Sequence, residues 1–228
     1  MNAAMPSAPK QALAISATLV PQRSTSTENA KGAINPTPVV GMVGLVHDTD
    51  HITTQSFKNE GDAILLLGDT KAELGGSEFQ YVLHGVTEGR PPQIDLDVEQ
   101  KLLGAVLGAI QQGLVASAHD LSEGGLAVAL AESCISGRLG AKVDFAAAGL
   151  RNDVALFSES QSRILLSASP DKADALRHYI AGQGVPVQAI GTVGGETLQI
   201  LVNGQSAIDA SVAQLEKVWK DAIPCLMK

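Results

Sequence analysis

The sequence is poor in aromatic residues, in cysteine and in positive charge. Phe, Tyr and Trp together make 3% of 228 residues, so a core has to be built from Leu, Ile, Val and Ala. Two cysteines, Cys134 and Cys225, are too few and too far apart for a disulfide framework or a zinc site. A reducing cytoplasm is therefore the expected setting. Lys and Arg number 16 against 24 Asp and Glu, a net charge of -8. A nucleic-acid-binding protein wants the opposite sign and stacking aromatics. No apolar run approaches the roughly 18 residues that mark a membrane span. Residues 12–20 follow a single Lys10 and lead to no cleavage site, which is too little for a secretory signal. A Walker loop, a dinucleotide G-x-G-x-x-G and a serine-nucleophile elbow are also missing.

What is there reads as a globular protein. Apolar residues make 45% and charged residues 18%, a composition that folds rather than staying disordered. The length allows one or two domains and a core without staples. Residues 1–32, with Pro6, Pro9, Pro21 and the polar run Ser24-Thr25-Ser26-Thr27, read as a disordered or atypical tail. Asn35-Pro36-Thr37-Pro38 is extended, since each proline biases its predecessor away from helix. Residues 39–46 then read as a strand and 47–50 as a turn.

Downstream, strands and helices alternate. Residues 62–68 form a continuous apolar run of buried-strand type. A helix over 77–84 is entered through Gly75-Gly76. Leu102, Leu103, Val106, Leu107 and Ile110 recur at helical steps and predict a helix over 95–112, stopped by Gly113. A strand over 114–118 and an Ala-rich helix over 122–136, apolar nearly all round and hence buried, come next. Strands follow over 141–145 and 163–168, a helix from Pro170 to about 181, and strands over 185–193 and 197–202. Ile208, Val212, Leu215 and Val218 predict a last helix over 206–220. The fold class is α/β (α+β), a mixed sheet covered by helices.

Three turns carry the polar chemistry. Glu73-Leu74-Gly75-Gly76-Ser77-Glu78 opens a helix, where unpaired N–H groups and the positive dipole end favour a phosphate or carboxylate; the structural alternative is a tight loop with Ser77 as N-cap. Ser117-Ala118-His119-Asp120-Leu121-Ser122-Glu123-Gly124-Gly125 joins a strand's carboxyl end, the usual ligand-binding end in α/β proteins, to a buried helix. Its alternative is a cap by Asp120 or Ser122. Ser158-Glu159-Ser160-Gln161-Ser162-Arg163 offers a carboxylate, a hydroxyl and an amide in one turn, or simply an Arg163–Glu159 ion pair at a strand entry. Asp95 with Asp97 and Asp48 with Asp50 read as solvated pairs. His47, His51 and His119 lack metal-site spacing, and Cys134 on the buried helix reads as core. The residues alone identify no catalytic group and no metal ligand.

Taken in order, these motifs resemble a known family. Ala33-Ile-Asn-Pro-Thr-Pro-Val-Val-Gly-Met-Val-Gly-Leu45, Gly61-Asp62 leading to Leu66-Leu-Gly68, Glu73 to Glu78, Ser117 to Ser133 and Phe157 to Arg163 look like the C-terminal region of phosphoribosylformylglycinamidine (FGAM) synthase. That enzyme belongs to the aminoimidazole ribonucleotide (AIR) synthetase-like superfamily. The resemblance covers roughly residues 33–220 and breaks upstream of about residue 28, where Pro21-Gln22-Arg23-Ser24 stands in place of a Gly-Asn-Val-Ser-type stretch. It implies that 33–50 end an N-type domain and that 51–228 form a C-type domain, the second of two in a duplicated chain. It implies a role in purine biosynthesis, with ATP and Mg²⁺ held mainly by an N-terminal synthetase half outside these 228 residues. A glutaminase subunit and a small bridging subunit are the further partners, and the segment is expected to be inactive alone. By the family's internal pseudo-symmetry, Glu159, Ser160, Gln161 and His119 line an auxiliary nucleotide pocket. Gly75, Gly76, Ser77, Asp120, Ser122, Gly124 and Gly125 complete the candidate nucleotide- or phosphate-binding set. The alternatives are a non-catalytic nucleotide-binding or assembly domain, or another ATP-dependent superfamily enzyme of selenophosphate, thiamine-monophosphate or hydrogenase-maturation type.

Overall fold

The structure, a computed structural model, describes residues 48–147 and 149–226, side chains through residue 222, and upstream of residue 48 only short paired strands. The chain divides into two compact units, Met1–Ile52 and Thr53–Lys228. In the first, three antiparallel two-residue ladders pair Leu13–Ala14 with Leu45–Val46, Thr18–Leu19 with Val40–Gly41, and Glu28–Asn29 with Gly32–Ala33. All three of these ladders draw on the stretch read as tail. The expected strand over 39–46 contributes two separate pairs, and the residues between them lie outside the description, as do Pro21 to Ser24 and His47. A 3-10 turn, Thr49–His51, follows, and the Asp48 side chain accepts the Asp50 N–H.

The second unit contains β1 (Ala63–Leu67), α1 (Glu78–His84), α2 (Leu96–Gln111), β2 (Ser117–Asp120), α3 (Gly125–Gly137), β3 (Ala141–Phe145), α4 (Asn152–Phe157), β4 (Ile164–Ala168), α5 (Pro170–Gly182), β5 (Val187–Val193), β6 (Thr197–Val202), β7 (Gln205–Ser211) and α6 (Val212–Leu226). The strands form one sheet in the order β7-β6-β3-β5-β1-β4-β2. β3 and β6 pair in parallel, and the other neighbours are antiparallel. This is the mixed, helix-covered sheet that the alternation predicts.

Side-chain alternation explains the layers. In β1, Ile64 and Leu66 enter one core with Leu126, Leu130 and Leu165. Leu65 and Leu67 enter a second with Leu102, Leu166, Leu176 and Ile180. A strand buried on both faces needs a continuous apolar run, and β1 supplies one. β3 instead alternates, with Ala141, Val143 and Phe145 buried and Lys142 and Asp144 exposed, so helices cover that part of the sheet on one face only. α3 buries Leu126, Ala127, Ala129, Leu130 and Cys134; each large aliphatic of this kind contributes about 1.5–3 kcal/mol by leaving water.

Four boundaries differ from the sequence reading, each for a local reason. β2 begins at Ser117 rather than 114. The Gly113 and Leu114 N–H groups close the end of α2 on Ile110 and Ala109, and pairing with β4 starts only at Ser117 opposite Ser167. α3 begins at Gly125 rather than 122, because its N-cap Gly124 holds a left-handed φ of 78° and a right-handed helix cannot run through it. α4 was not anticipated. The helix expected over 206–220 is a strand followed by a helix. Asn203 and Gly204 both take positive φ (51° and 77°), the conformation of a type I′ hairpin turn, which pairs β6 with β7. α6 then starts in a capping box: the Ser211 hydroxyl accepts the Gln214 N–H at 3.2 Å and Gln214 Oε1 accepts the Ser211 N–H at 3.2 Å.

Candidate functional site

The sheet brings the second and third turns together. Asp120 pairs with Ile164 and His119 with Leu165, so the carboxyl end of β2 lies beside the segment that enters β4. β1 ends at the same edge, where Leu67 also pairs with Ile164. The first turn joins them through side chains. The Ser158 hydroxyl donates to the Lys71 carbonyl at 2.7 Å and accepts the Glu73 N–H at 3.2 Å. The Ser160 hydroxyl accepts the Lys71 N–H at 3.0 Å. Both serines are fully buried, and the hydrogen bonds offset the cost of desolvating them.

Glu159 is the junction of the three turns. Its Oε1 accepts the N–H of Glu78, the first residue of α1, and that of Gly124, the N-cap of α3, each at 2.9 Å. A carboxylate in this place faces the positive ends of two helix dipoles. Other N–H groups in the glycine turns are also taken internally. That of Gly76 goes to the Glu88 carbonyl and Gln80 Oε1, both at 3.2 Å, and that of Gly125 to the Ser122 carbonyl. Ser77 is the buried N-cap of α1: its hydroxyl accepts the Gln80 N–H and donates to Leu74 O at 2.6 Å. Neither Asp120 nor Ser122 caps α3, which has no side-chain cap of its own.

The glycines are required by contact. An added Cβ on Gly125 would come within 2.4 Å of the Ser158 carbonyl oxygen, and one on Gly75 within 2.4 Å of the Arg90 carbonyl oxygen. α1 is further held by Phe79, stacked on Phe157 at 4.8 Å between centroids.

Arg163 does not pair with Glu159. It is 2% exposed, and its guanidinium donates to the carbonyls of Ser158 and Ser160 and to Thr70 Oγ1. A buried cation needs its donors satisfied, and three acceptors from two loops meet that need while fixing the turn behind Glu159. Burial pulls its pKa down to about 10, partly offset by the Glu73 carboxylate, so it stays charged at neutral pH. Glu73 Oε1 in turn accepts the Gln93 N–H at 3.0 Å.

His119, with its side chain 10% exposed, binds Glu132 Oε2 of α3 at 2.8 Å through Nε2, and its Nδ1 lies 3.5 Å from Asp120 Oδ1. Asp120, Ser122 and Gln161 remain exposed at this edge; the Gln161 amide bonds only its own turn, at Glu159 O. The sequence reading missed Glu132, Ser158 and the true partners of Arg163. Glu132 had one signal, as the only acidic residue on an otherwise apolar helix. Cys134 is buried, and burial pushes its thiol up to about 12, which fits a core residue and not a nucleophile.

Comparison with known proteins identifies the family. The profile described as AIR synthase related protein, C-terminal domain, matches residues 59–203. The chain belongs to this family. The AIR synthase-related segment spans the sheet from β1 through β6 and all three turns. Among curated relatives, phosphoribosylformylglycinamidine synthase subunit PurL of Alkaliphilus metalliredigens is 46% identical and that of Thermoanaerobacter sp. 47% identical, each over 88% of this chain and 27% of the relative. The chain thus spans about a quarter of their length. Among solved structures, T. maritima PurL complexed with FGAR matches 78% of this chain and 31% of its own, with a TM-score of 0.69 and 23% identity. That likeness bears on the fold.

Proposed function

We propose that this chain supplies the second C-type domain of a phosphoribosylformylglycinamidine synthase large subunit, with residues 33–50 ending the preceding N-type domain. The observation that carries the reading is 46–47% identity over 88% of the chain to curated proteins of that name. In this reading the assembled enzyme turns the formamide group of formylglycinamide ribonucleotide into an amidine. ATP phosphorylates the formamide oxygen, ammonia attacks the imidate carbon, and inorganic phosphate leaves with the C–O bond. The ammonia comes from a glutaminase subunit, beside a small bridging subunit, in the cytoplasm. The chain is inactive without the rest of the synthetase.

Its own residues act in two ways. Asp120, Ser122 and Gln161 are exposed at the carboxyl edge of β2 and meet the nucleotide. Gly75, Gly76, Ser77, His119, Gly124, Gly125, Glu159 and Ser160 build the wall behind them, because their polar groups bond to one another and to neighbouring loops. Among the described residues no group of three His, Cys, Asp or Glu side chains could hold a metal ion, and in this reading Mg²⁺ is held mainly by the remaining part of the enzyme together with the nucleotide phosphates.

The test mixes this chain with the remaining three quarters of the Thermoanaerobacter subunit and assays ATP- and ammonia-dependent FGAM formation. Activity that requires both parts is the expected result. No activity from two folded parts would overturn the reading. In the active mixture, Asp120→Ala with Gln161→Ala should weaken nucleotide binding about tenfold; unchanged binding would remove these residues from the site.

A further inference from the structure

α1 carries a sequence that its surroundings do not satisfy. Four of its seven residues, Phe79, Tyr81, Val82 and Leu83, are aromatic or aliphatic. A helix apolar on most of its circumference belongs inside a protein, yet α1 has no buried residue. Tyr81, Val82 and Leu83 are 55%, 72% and 60% exposed. Only Phe79, stacked on Phe157, is anchored. α2 adds a second exposed row, Leu96, Leu103 and Leu107 at 72%, 53% and 56%. Their spacing of seven and four residues sets them on one side of the helix, apart from buried Leu102, Ala105 and Ala109.

We infer that α1 is a docking element, covered by an apolar groove on the rest of a synthetase-length polypeptide. The inference rests on the function proposed above. At about 100 Å² per side chain, the exposed α1 and α2 rows together offer about 600 Å², short of the roughly 800 Å² per partner of a stable free-standing dimer. That argues against a second copy of this chain. It suits a neighbouring domain of one long chain, where covalent linkage supplies a high effective concentration and a small interface suffices. The relatives matched by this chain carry about three quarters of their length outside the matched region. α1 also touches the candidate site directly, since its first N–H is held by Glu159.

The experiment titrates the 228-residue chain with the remaining three quarters of the Thermoanaerobacter subunit by calorimetry. Amide exchange over residues 78–84 is followed with and without that partner. Val82→Glu is the test variant and Val218→Glu, on an exposed position of α6, the control; circular dichroism verifies folding of both. Expected are exchange at 78–84 that slows at least tenfold in the complex, and at least tenfold weaker binding for Val82→Glu with Val218→Glu unchanged. A complex that Val82→Glu leaves intact overturns the inference and leaves the proposed function standing. Residues 78–84 already protected in the isolated chain, or a self-association that Val82→Glu abolishes, overturn it in favour of a different cover. Absence of any complex overturns the inference together with the reading beneath it.

Discussion

Glu159 gives the sharpest test of how the three turns are held together. Its carboxylate accepts two backbone N–H bonds at 2.9 Å, from Glu78 and Gly124. A hydrogen bond to a charged group contributes about 1.5–3 kcal/mol, and a buried donor left unmade costs about 1–3 kcal/mol. Gly124 is buried and Glu78 exposed, so one of the two N–H groups can turn to water when the carboxylate is removed. Glu159→Ala should therefore lose about 2–3 kcal/mol. At roughly 3 °C per kcal/mol for a chain of this size, the melting temperature falls by about 6–9 °C. Glu159→Gln keeps an oxygen acceptor and loses only the charge, at a cost of about 1 kcal/mol. Urea unfolding by circular dichroism measures both, with the slope checked for constancy. Two variants equal in stability to wild type, or equally destabilised, would refute the assignment of a charged clamp. The first result would mean that the bonds carry no net weight, the second that the charge plays no part.

Other expectations follow from the same contacts. Gly125→Ala should cost more than about 2 kcal/mol, since its Cβ would meet the Ser158 carbonyl. Gly149→Ala, at φ 83° but with open space around it, should cost about 1 kcal/mol; similar urea midpoints for the two would contradict the packing argument. Arg163→Met should destabilise by about 3 kcal/mol or more through the carbonyls and hydroxyl it leaves unpaired, measured the same way. Cys134 has a folded pKa raised from 9.0 to about 12. Its contribution to stability is thus fully present below pH 9 and lost as pH rises toward 12. In a Cys225→Ser background, native chain should resist thiol reagents that react at once in urea, and Cys134→Ala should flatten the alkaline loss of stability.

Much of the fold could be read from local pattern. The continuous run of β1, the two-residue period of β6, the stripe of α2 and the Pro170 start of α5 each record their burial directly in sequence spacing. The C-terminal region was misread because Ile208, Val212 and Leu215 fit a helical period while Asn203-Gly204 and Ser211-x-x-Gln214, two signals of equal locality, mark a hairpin and a helix cap. There the turn chemistry outweighed the hydrophobic period.

The candidate site was legible as a set of residues and not as an arrangement. Sequence alone determined which turns are polar and glycine-rich, and which family they resemble. It could not determine that Glu159 reaches Glu78 and Gly124, 81 and 35 positions away, or that Arg163 prefers backbone carbonyls to the nearest carboxylate. Those choices depend on strand order. Only when β4 is inserted between β1 and β2 do the three turns share one edge, and only then do buried donors and acceptors from distant segments have to satisfy one another.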